Sequence, residues 1–394
     1  FERIRKILNK VWKKEVKLDP LTLAVYYVYN FNLSYGPGFM GWTSEIYLSK
    51  KKYQAMLEKI RNFKPGKLSV KHGDFEKVLK KLQSEYSSRG INLVCISKKW
   101  SFRTSDKLSN LLSKQKTIEK SLRINLEKVL ADSKFIMGPE IKKLESSLES
   151  YTNANYCITC SSGTDALLLS LLGLKIKPGE GVIVPAFTFA SSAEVMPLLG
   201  AIPIFTDVKR DTFNIDPTKL YDTLKTAKDL GINVKGIMPV GLFGQPAEMD
   251  LINDFAKNNN LWVLDDAAQS FGGIYKDKVV GNLSEVAATS FFPAKPLGCY
   301  GDGGAVFTND REIYEIANSS HVHGMGKKRY EYDRIGMNAR MSTIQAAILL
   351  EKLEIFPEEL KKRQVVAENY NKNLNSLNLG IELPKIKKDL KSSW

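Results

Sequence analysis

Lys295 is the residue whose type and setting first suggest chemistry. It stands in Ser290-Phe291-Phe292-Pro293-Ala294-Lys295-Pro296-Leu297-Gly298-Cys299-Tyr300-Gly301-Asp302-Gly303-Gly304, after apolar residues, before a glycine-rich turn, and with no acid beside it. Lysine is seldom buried without a partner, because its ammonium loses hydration. In an apolar setting the amine titrates below its ordinary range and becomes a nucleophile suited to an aldehyde. Read alone, the stretch also fits a surface lysine in a loop after a short strand.

Three other places could work with it. Ser161-Ser162-Gly163-Thr164-Asp165 joins a short apolar run to a helical pattern. Backbone N–H groups at a helix start favour anions, and glycine lets a phosphate come close. Ordinary helix capping explains the same residues. Leu261-Trp262-Val263-Leu264 ends on Asp265-Asp266. Two adjacent buried carboxylates call for a cation or a proton, and a protonated pyridine nitrogen would serve; a helix N-cap accounts for one of the two. Ser290, five residues before Lys295, offers a hydroxyl to the same anion. A phosphate cradle, an acid for a ring nitrogen and a lysine for an aldehyde, in that chain order, together fit pyridoxal phosphate.

The elements that must position these groups alternate. Apolar runs are expected as strands at Tyr156 to Thr159, Gly181 to Pro185, Ile202 to Asp207, Val234 to Val240, Leu261 to Leu264, Ala287 to Phe292 and Gly304 to Thr308. Helices are expected at Lys107 to Ala131, Pro139 to Tyr151, Ala166 to Leu174, Thr188 to Leu199, Pro217 to Asp229, Met249 to Asn258 and from Ser342 into the 360s. Continuous apolar strands separated by helices predict an α/β fold with a mixed, mostly parallel sheet covered on both faces. Ligands in such folds gather at the carboxyl ends of the strands, where the polar residues above fall.

The chain has 394 residues and a formal charge of +15, concentrated in its first hundred residues. Residues 1–107 form a basic extension of unassigned function. Phe1 to Lys17, Lys51 to Phe63 and Asp74 to Tyr86 are spaced as amphipathic helices, and Ile91 to Ile96 as a strand. Such helices can lie on a membrane or on nucleic acid, but a solvated basic face is the simpler reading, so neither partner is expected. Cys157 and Cys160 have a redox or half-zinc-site spacing, but no second Cys or His pair lies near them, so they and Cys299 are expected to be buried and reduced, with no metal. No secretory leader and no run of membrane-spanning length is expected, which places the chain in the cytoplasm. The start at Phe1 and the end at Trp394 read as those of a piece of a longer protein.

From about Leu108 onward the motifs resemble the DegT/DnrJ/EryC1/StrS family of pyridoxal-phosphate sugar aminotransferases, of fold type I. The resemblance runs through Phe135-Ile136-Met137-Gly138-Pro139, Ser161 to Leu167, Pro185 to Ala190, Asp211 to Asp216, Gly244-Gln245-Pro246, Asp266-Ala267-Ala268-Gln269, the Lys295 segment, His323-Gly324 and Gly336 to Met341. It implies a large cofactor-binding domain over 108–350 and the start of a smaller C-terminal α+β domain over 351–394, which the family pattern would continue. It implies that Lys295 bonds the cofactor aldehyde and moves protons, that Asp266 keeps the ring nitrogen protonated, and that Gln269 lies near the phenolic oxygen. Phe189 would stack on the ring, and Gly163, Thr164 and Ser290 would bind the phosphate. Asn338 would serve the neighbouring subunit of a homodimer, and Arg340 would bind a substrate anion. The implied reaction carries an amino group from glutamate to a keto group of a nucleotide-linked sugar for surface polysaccharide. The Pro296 to Gly304 and Arg340 to Ala347 stretches are most like enzymes acting on UDP-2-acetamido-2-deoxy-3-oxo-glucuronate. The alternatives are a 4-keto-sugar aminotransferase of the same family, or an inactive or regulatory member.

Overall fold

The computed structural model describes residues 91–96, 99–104, 109–328, 330–376 and 382–394. The basic helical patterns read in residues 1–17, 51–63 and 74–86 lie outside these. Contacts divide the chain into Phe1–Ser113 and Lys114–Trp394. In the first unit, strand β1 (Ile91–Ile96), as expected, pairs antiparallel with β2 (Lys99–Thr104), which the sequence reading did not foresee.

Helix α1 (Ser109–Asp132) precedes α2 (Pro139–Thr152), and Pro139 opens the latter, where its missing N–H costs nothing. There follow β3 (Tyr156–Cys160), α3 (Gly163–Gly173), β4 (Glu180–Pro185), α4 (Ser191–Leu198) and β5 (Ile202–Thr206). Then come α5 (Leu220–Asp229), β6 (Asn233–Ile237), α6 (Met249–Asn258) and β7 (Trp262–Asp266). Two short strands, β8 (Ile274–Tyr275) and β9 (Lys278–Val279), lead to β10 (Val286–Ser290) and β11 (Gly304–Thr308). The chain continues with α7 (Arg311–Ser320), not anticipated from the sequence, the long α8 (Thr343–Ser376) and β12 (Leu390–Lys391).

Seven strands form one sheet in the order β3-β11-β10-β7-β6-β4-β5. The pairs β10/β7, β7/β6, β6/β4 and β4/β5 are parallel, and β11 alone runs against its neighbours. Alternate residues explain the two covered faces. Val182 and Val184 join Leu167, Leu171 and Leu264 on one side, whereas Ile183 joins Leu224, Ile237, Ile252 and Val263 on the other. A third cluster beneath β10 and β11 gathers Phe291, Phe307, Phe271 and Phe356 with Leu144 of α2 and Leu349 of α8. Phe271 stacks on Phe307 and Phe356 and meets Phe291 edge-on, which fixes the floor under the Lys295 turn.

Residues 382–394 lie against loops of the large sheet. β12 pairs with β8, Lys385 N–H donates to the Asp211 carbonyl, and Gln245 binds the Lys385 carbonyl and Lys387 N–H. No described helix is long and apolar enough to cross a membrane.

Candidate active site

The functional residues named above sit where strands β3, β4, β7 and β10 end. β7 finishes on Asp265 and Asp266, which are 2% and 4% exposed. Their side chains alternate across the sheet, so the two acids have different environments. Asp266 Oδ2 accepts from Ser192 Oγ at 2.7 Å, and Oδ1 accepts from Ala268 N–H at 3.1 Å. Thr188 Oγ1 lies 2.9 Å from the same serine hydroxyl. Burial raises the Asp266 carboxyl, while the Ser192 hydroxyl, the Ala268 amide and the charge of Lys295 hold it down. Asp265 Oδ2 has no hydrogen-bond partner. Burial, with the adjacent Asp266 charge behind it, lifts Asp265 to about 7. No α-helix follows the pair: Asp266 caps a tight turn, so the capping explanation accounts for one of its oxygens and leaves the other to Ser192.

Lys295 lies in a turn just past β10, its N–H donating to the Phe292 carbonyl at 2.8 Å. Its side chain is half-buried, and burial pushes the amine below its ordinary value while Asp266 pulls it back up. Lys295 is thus half-buried, with Asp266 the charged group that acts on it, and its ammonium has no ion pair among the described residues. Gly298 lets the turn close, because a Cβ there would sit 2.6 Å from the Pro293 carbonyl oxygen.

The third component is the start of α3. Ser162 caps the helix, its Oγ accepting from Asp165 N–H at 3.0 Å, and Ser161 and Ser162 both donate to Asp165 Oδ2. A Cβ on Gly163 would fall 2.6 Å from Ser290 Cβ and 3.1 Å from Ser290 Oγ, so the helix start and the β10 serine are pressed together with no side chain between them. Thr164 Oγ1 lies 3.0 Å from Ser191 Oγ. Hydroxyls of Thr164, Ser191 and Ser290 thus surround the free N–H groups of an 11-residue helix, a setting for a phosphate dianion. Gln269 Oε1 is buried without a partner.

Phe189 follows β4 and is 60% exposed, and its carbonyl accepts from Ser192 N–H at 3.1 Å. Asn338 and Arg340 come to the same end by another route: Ser161 N–H donates to the Ala339 carbonyl at 2.8 Å, and Cys160 bridges Arg340. Arg340 Nε donates to Asn338 Oδ1 at 3.0 Å, leaving Asn338 exposed at the rim. Within this one chain Gly163 meets Ser290, Lys295 acts on Asp266, and the Asn338–Arg340 segment is tied to the end of β3. The sequence reading missed Ser191 and Ser192. Their signal was a pair of hydroxyls directly after the Phe189 motif, with Thr188 one helical turn before Ser192.

The model of the DegT/DnrJ/EryC1/StrS aminotransferase family matches residues 116–394. The chain belongs to that family. It is 45% identical over 271 residues to the UDP-2-acetamido-2-deoxy-3-oxo-D-glucuronate aminotransferase of Pseudomonas aeruginosa, covering 69% of this chain and 74% of the relative. Among solved structures it is similar to a DegT DnrJ EryC1 StrS aminotransferase from Brucella abortus, with a TM-score of 0.69 and 41% identity over 72% of this chain and 76% of the other. It also resembles the ntda structure from Bacillus subtilis with bound cofactor PMP, with a TM-score of 0.65 and 32% identity over 71% and 62% of the two chains.

Family members use pyridoxal phosphate, and the residues present fit it. The cradle between Gly163 and Ser290 is one that a Cβ would fill. The partnerless Gln269 Oε1 and the buried Asp266 are an acceptor and an acid awaiting polar and cationic partners. The large domain is the fold-type-I α/β domain expected from the sequence, and the chain is an aminotransferase dependent on that cofactor.

Proposed function

We propose that this chain moves an amino group from glutamate to the 3-keto group of UDP-2-acetamido-2-deoxy-3-oxo-glucuronate, in the cytoplasm, for a surface polysaccharide. The observation that carries the reading is the pairing of a half-buried Lys295, its amine lowered by burial, with a buried Asp266 that is itself held by Ser192. The named substrate follows the 45% identity to the Pseudomonas aeruginosa enzyme.

When bound, pyridoxal phosphate supplies an aldehyde and an electron-accepting ring. The chain's own residues do the rest. The start of α3, with Thr164, Ser191 and Ser290, binds the phosphate, and Phe189 covers one ring face. Asp266, hydrogen-bonded by Ser192 and the Ala268 amide, would hold a proton on the ring nitrogen. Gln269 binds the phenolic oxygen. Lys295 would hold the aldehyde, and its Nζ would take the proton from the amino donor's α-carbon as an amine and carry it as an ammonium. Burial lowers this amine and so favours the free base that takes the proton. Arg340 meets a substrate carboxylate or phosphate, and Asn338 reaches the site of the neighbouring subunit in a homodimer. The domain division proposed is a basic extension to residue 107, a large domain over 108–350 and a smaller domain beginning at 351.

The test is spectroscopic and chemical. The full chain mixed with pyridoxal phosphate develops an absorbance band that Lys295→Ala abolishes. Glutamate bleaches the band, and the UDP-linked 3-keto sugar restores it. A band that forms but never responds to glutamate refutes amino transfer, and recovery with a 4-keto sugar alone refutes the substrate.

A further inference from the structure

Helix α8 carries Gln345, Lys352 and Arg363. Their spacings of seven and eleven residues approximate two and three whole turns of an α-helix, so all three project from one face. Each reaches a backbone group of the segment that leaves Lys295. Arg363 Nη2 donates to the Pro296 carbonyl at 3.4 Å, Lys352 Nζ donates to the Gly298 carbonyl, and Tyr300 N–H donates to Gln345 Oε1 at 2.9 Å. The targets are alternate residues of one short stretch. Lys352 is half-buried and its amine is lowered by burial, so the Gly298 carbonyl and the Tyr300 ring, 5.5 Å away, offset the lost hydration. Arg363 has a second contact: its guanidinium stands 5.0 Å from the Trp394 ring. Trp394 Nε1 and Ser393 Oγ both donate to the Gln269 carbonyl, each at 2.8 Å.

We infer that α8 is the template that holds the Lys295 turn, with Gln345, Lys352 and Arg363 as positioning residues, and that Arg363 ties this turn to the Gln269 loop through Trp394. None of the three touches reacting atoms. The inference rests on the reading of Lys295 as the reacting amine. Its consequence is solvation. Burial keeps the Lys295 amine low, and Asp266 on β7 is the charged group acting on it, in the opposite direction. The other charged or titratable groups at the turn are Lys352, Glu359 and Arg363 on α8 and Cys299, Tyr300 and Asp302 within it. Loosening the turn admits water to Lys295, and its amine climbs back toward the ordinary lysine value.

The experiment follows the Lys295 amine in the full chain stripped of cofactor. Trace acetylation across a pH series, read by mass spectrometry of the peptide containing Lys295, gives its titration midpoint. Gln345→Leu, Lys352→Met and Arg363→Met are expected to raise that midpoint, cutting the free-amine fraction near neutral pH by about threefold to tenfold, since one pH unit is a tenfold change. Gln345→Leu changes no charge, so a rise in that variant reports the turn and not a lost cation. Variants that melt earlier but label with the wild-type midpoint overturn the inference, as does a rise in Lys352→Met and Arg363→Met that Gln345→Leu does not share. The labelling needs neither cofactor nor sugar. Failure of the amino-transfer reading therefore shows separately, as a cofactor band that glutamate does not bleach while the midpoints still shift.

Discussion

Asp265 makes the stability of this chain fall as pH rises from mild acid toward neutrality. Its carboxyl is 2% exposed, Oδ2 has no partner, and burial together with Asp266 lifts it to about 7. An unfolded chain releases the same proton near pH ~3.9. Between these values the folded state binds a proton that the unfolded state has lost. Stability is therefore fully present below about pH 4 and is lost progressively as pH rises to about 7. A difference of roughly 3 units, at ~1.4 kcal/mol each, sets the loss at up to ~4 kcal/mol. Asp265→Asn cannot ionise and escapes that loss. Its amide places a donor with no acceptor in the same pocket, which costs ~1–3 kcal/mol at every pH and cancels from the slope. Asp266 is also raised by burial, but it titrates in both proteins and largely drops out of the difference. The variant is thus expected to be the less stable protein in mild acid and the more stable one above neutrality. Thermal melts of both chains at fixed ionic strength, in steps from about pH 4.5 to about pH 8, measure the difference. At ~1–2 °C per kcal/mol for a chain of this size, and with ~3 kcal/mol of the loss falling inside this pH window, the melting-temperature difference should swing by ~3–6 °C in favour of Asp265→Asn as pH rises. A difference that stays flat, or moves the other way, refutes the protonated Asp265.

Two further substitutions probe the same end of the sheet. Ser192→Ala removes the hydroxyl 2.7 Å from Asp266 Oδ2, a bond to a charged acceptor worth ~1.5–3 kcal/mol, so the Asp266 carboxyl should rise further and glutamate-driven bleaching should slow by about tenfold or more; unchanged bleaching across the pH range counts against the role given to Ser192. Gly163→Ala drives a methyl to within 2.6 Å of Ser290 Cβ, an overpacking cost of ~1–3 kcal/mol, and should release cofactor on dialysis; a variant that retains cofactor as wild type does shows that the contact between α3 and β10 does not shape the phosphate site.

Much of the fold is legible because the strands are buried on both faces. All five residues of β10 and of β11 are buried, which gives the continuous apolar runs read from the sequence. Met249–Asn258 and Gly304–Thr308 fall where expected. Strand ends were less legible. Asp265 and Asp266 belong to β7 although they are acids, because Ser192 reaches Asp266 and burial raises Asp265 in a way only the fold provides. The start of α3 extends back to Gly163, since the cap is Ser162 and not a residue of the apolar run. Helix α7 escaped notice although Ile313, Tyr314 and Ala317 pack on the core from it. Its N-cap Asp310, bonded to Glu312 and Ile313 N–H, was the available sign.

The sequence by itself determined the chemistry: a lysine after an apolar strand, an acid ending another, and a serine–glycine–threonine helix start, in an order that matches one cofactor and one family. Residue type and spacing along single elements suffice for that, because each of those groups is positioned by the strand or helix end that carries it. What only the tertiary structure decided is the state of those groups. Ser192 reaches Asp266 across 74 positions of sequence. Gln345, Lys352 and Arg363 hold the Lys295 turn from a helix whose pattern gave no hint of it. Asp265 and Asp266 look identical in sequence but part company once the strand pleat turns one toward Ser192 and leaves the other without a partner. Protonation depends on burial and on partners brought from afar, and neither is a property of a residue's neighbours along the chain.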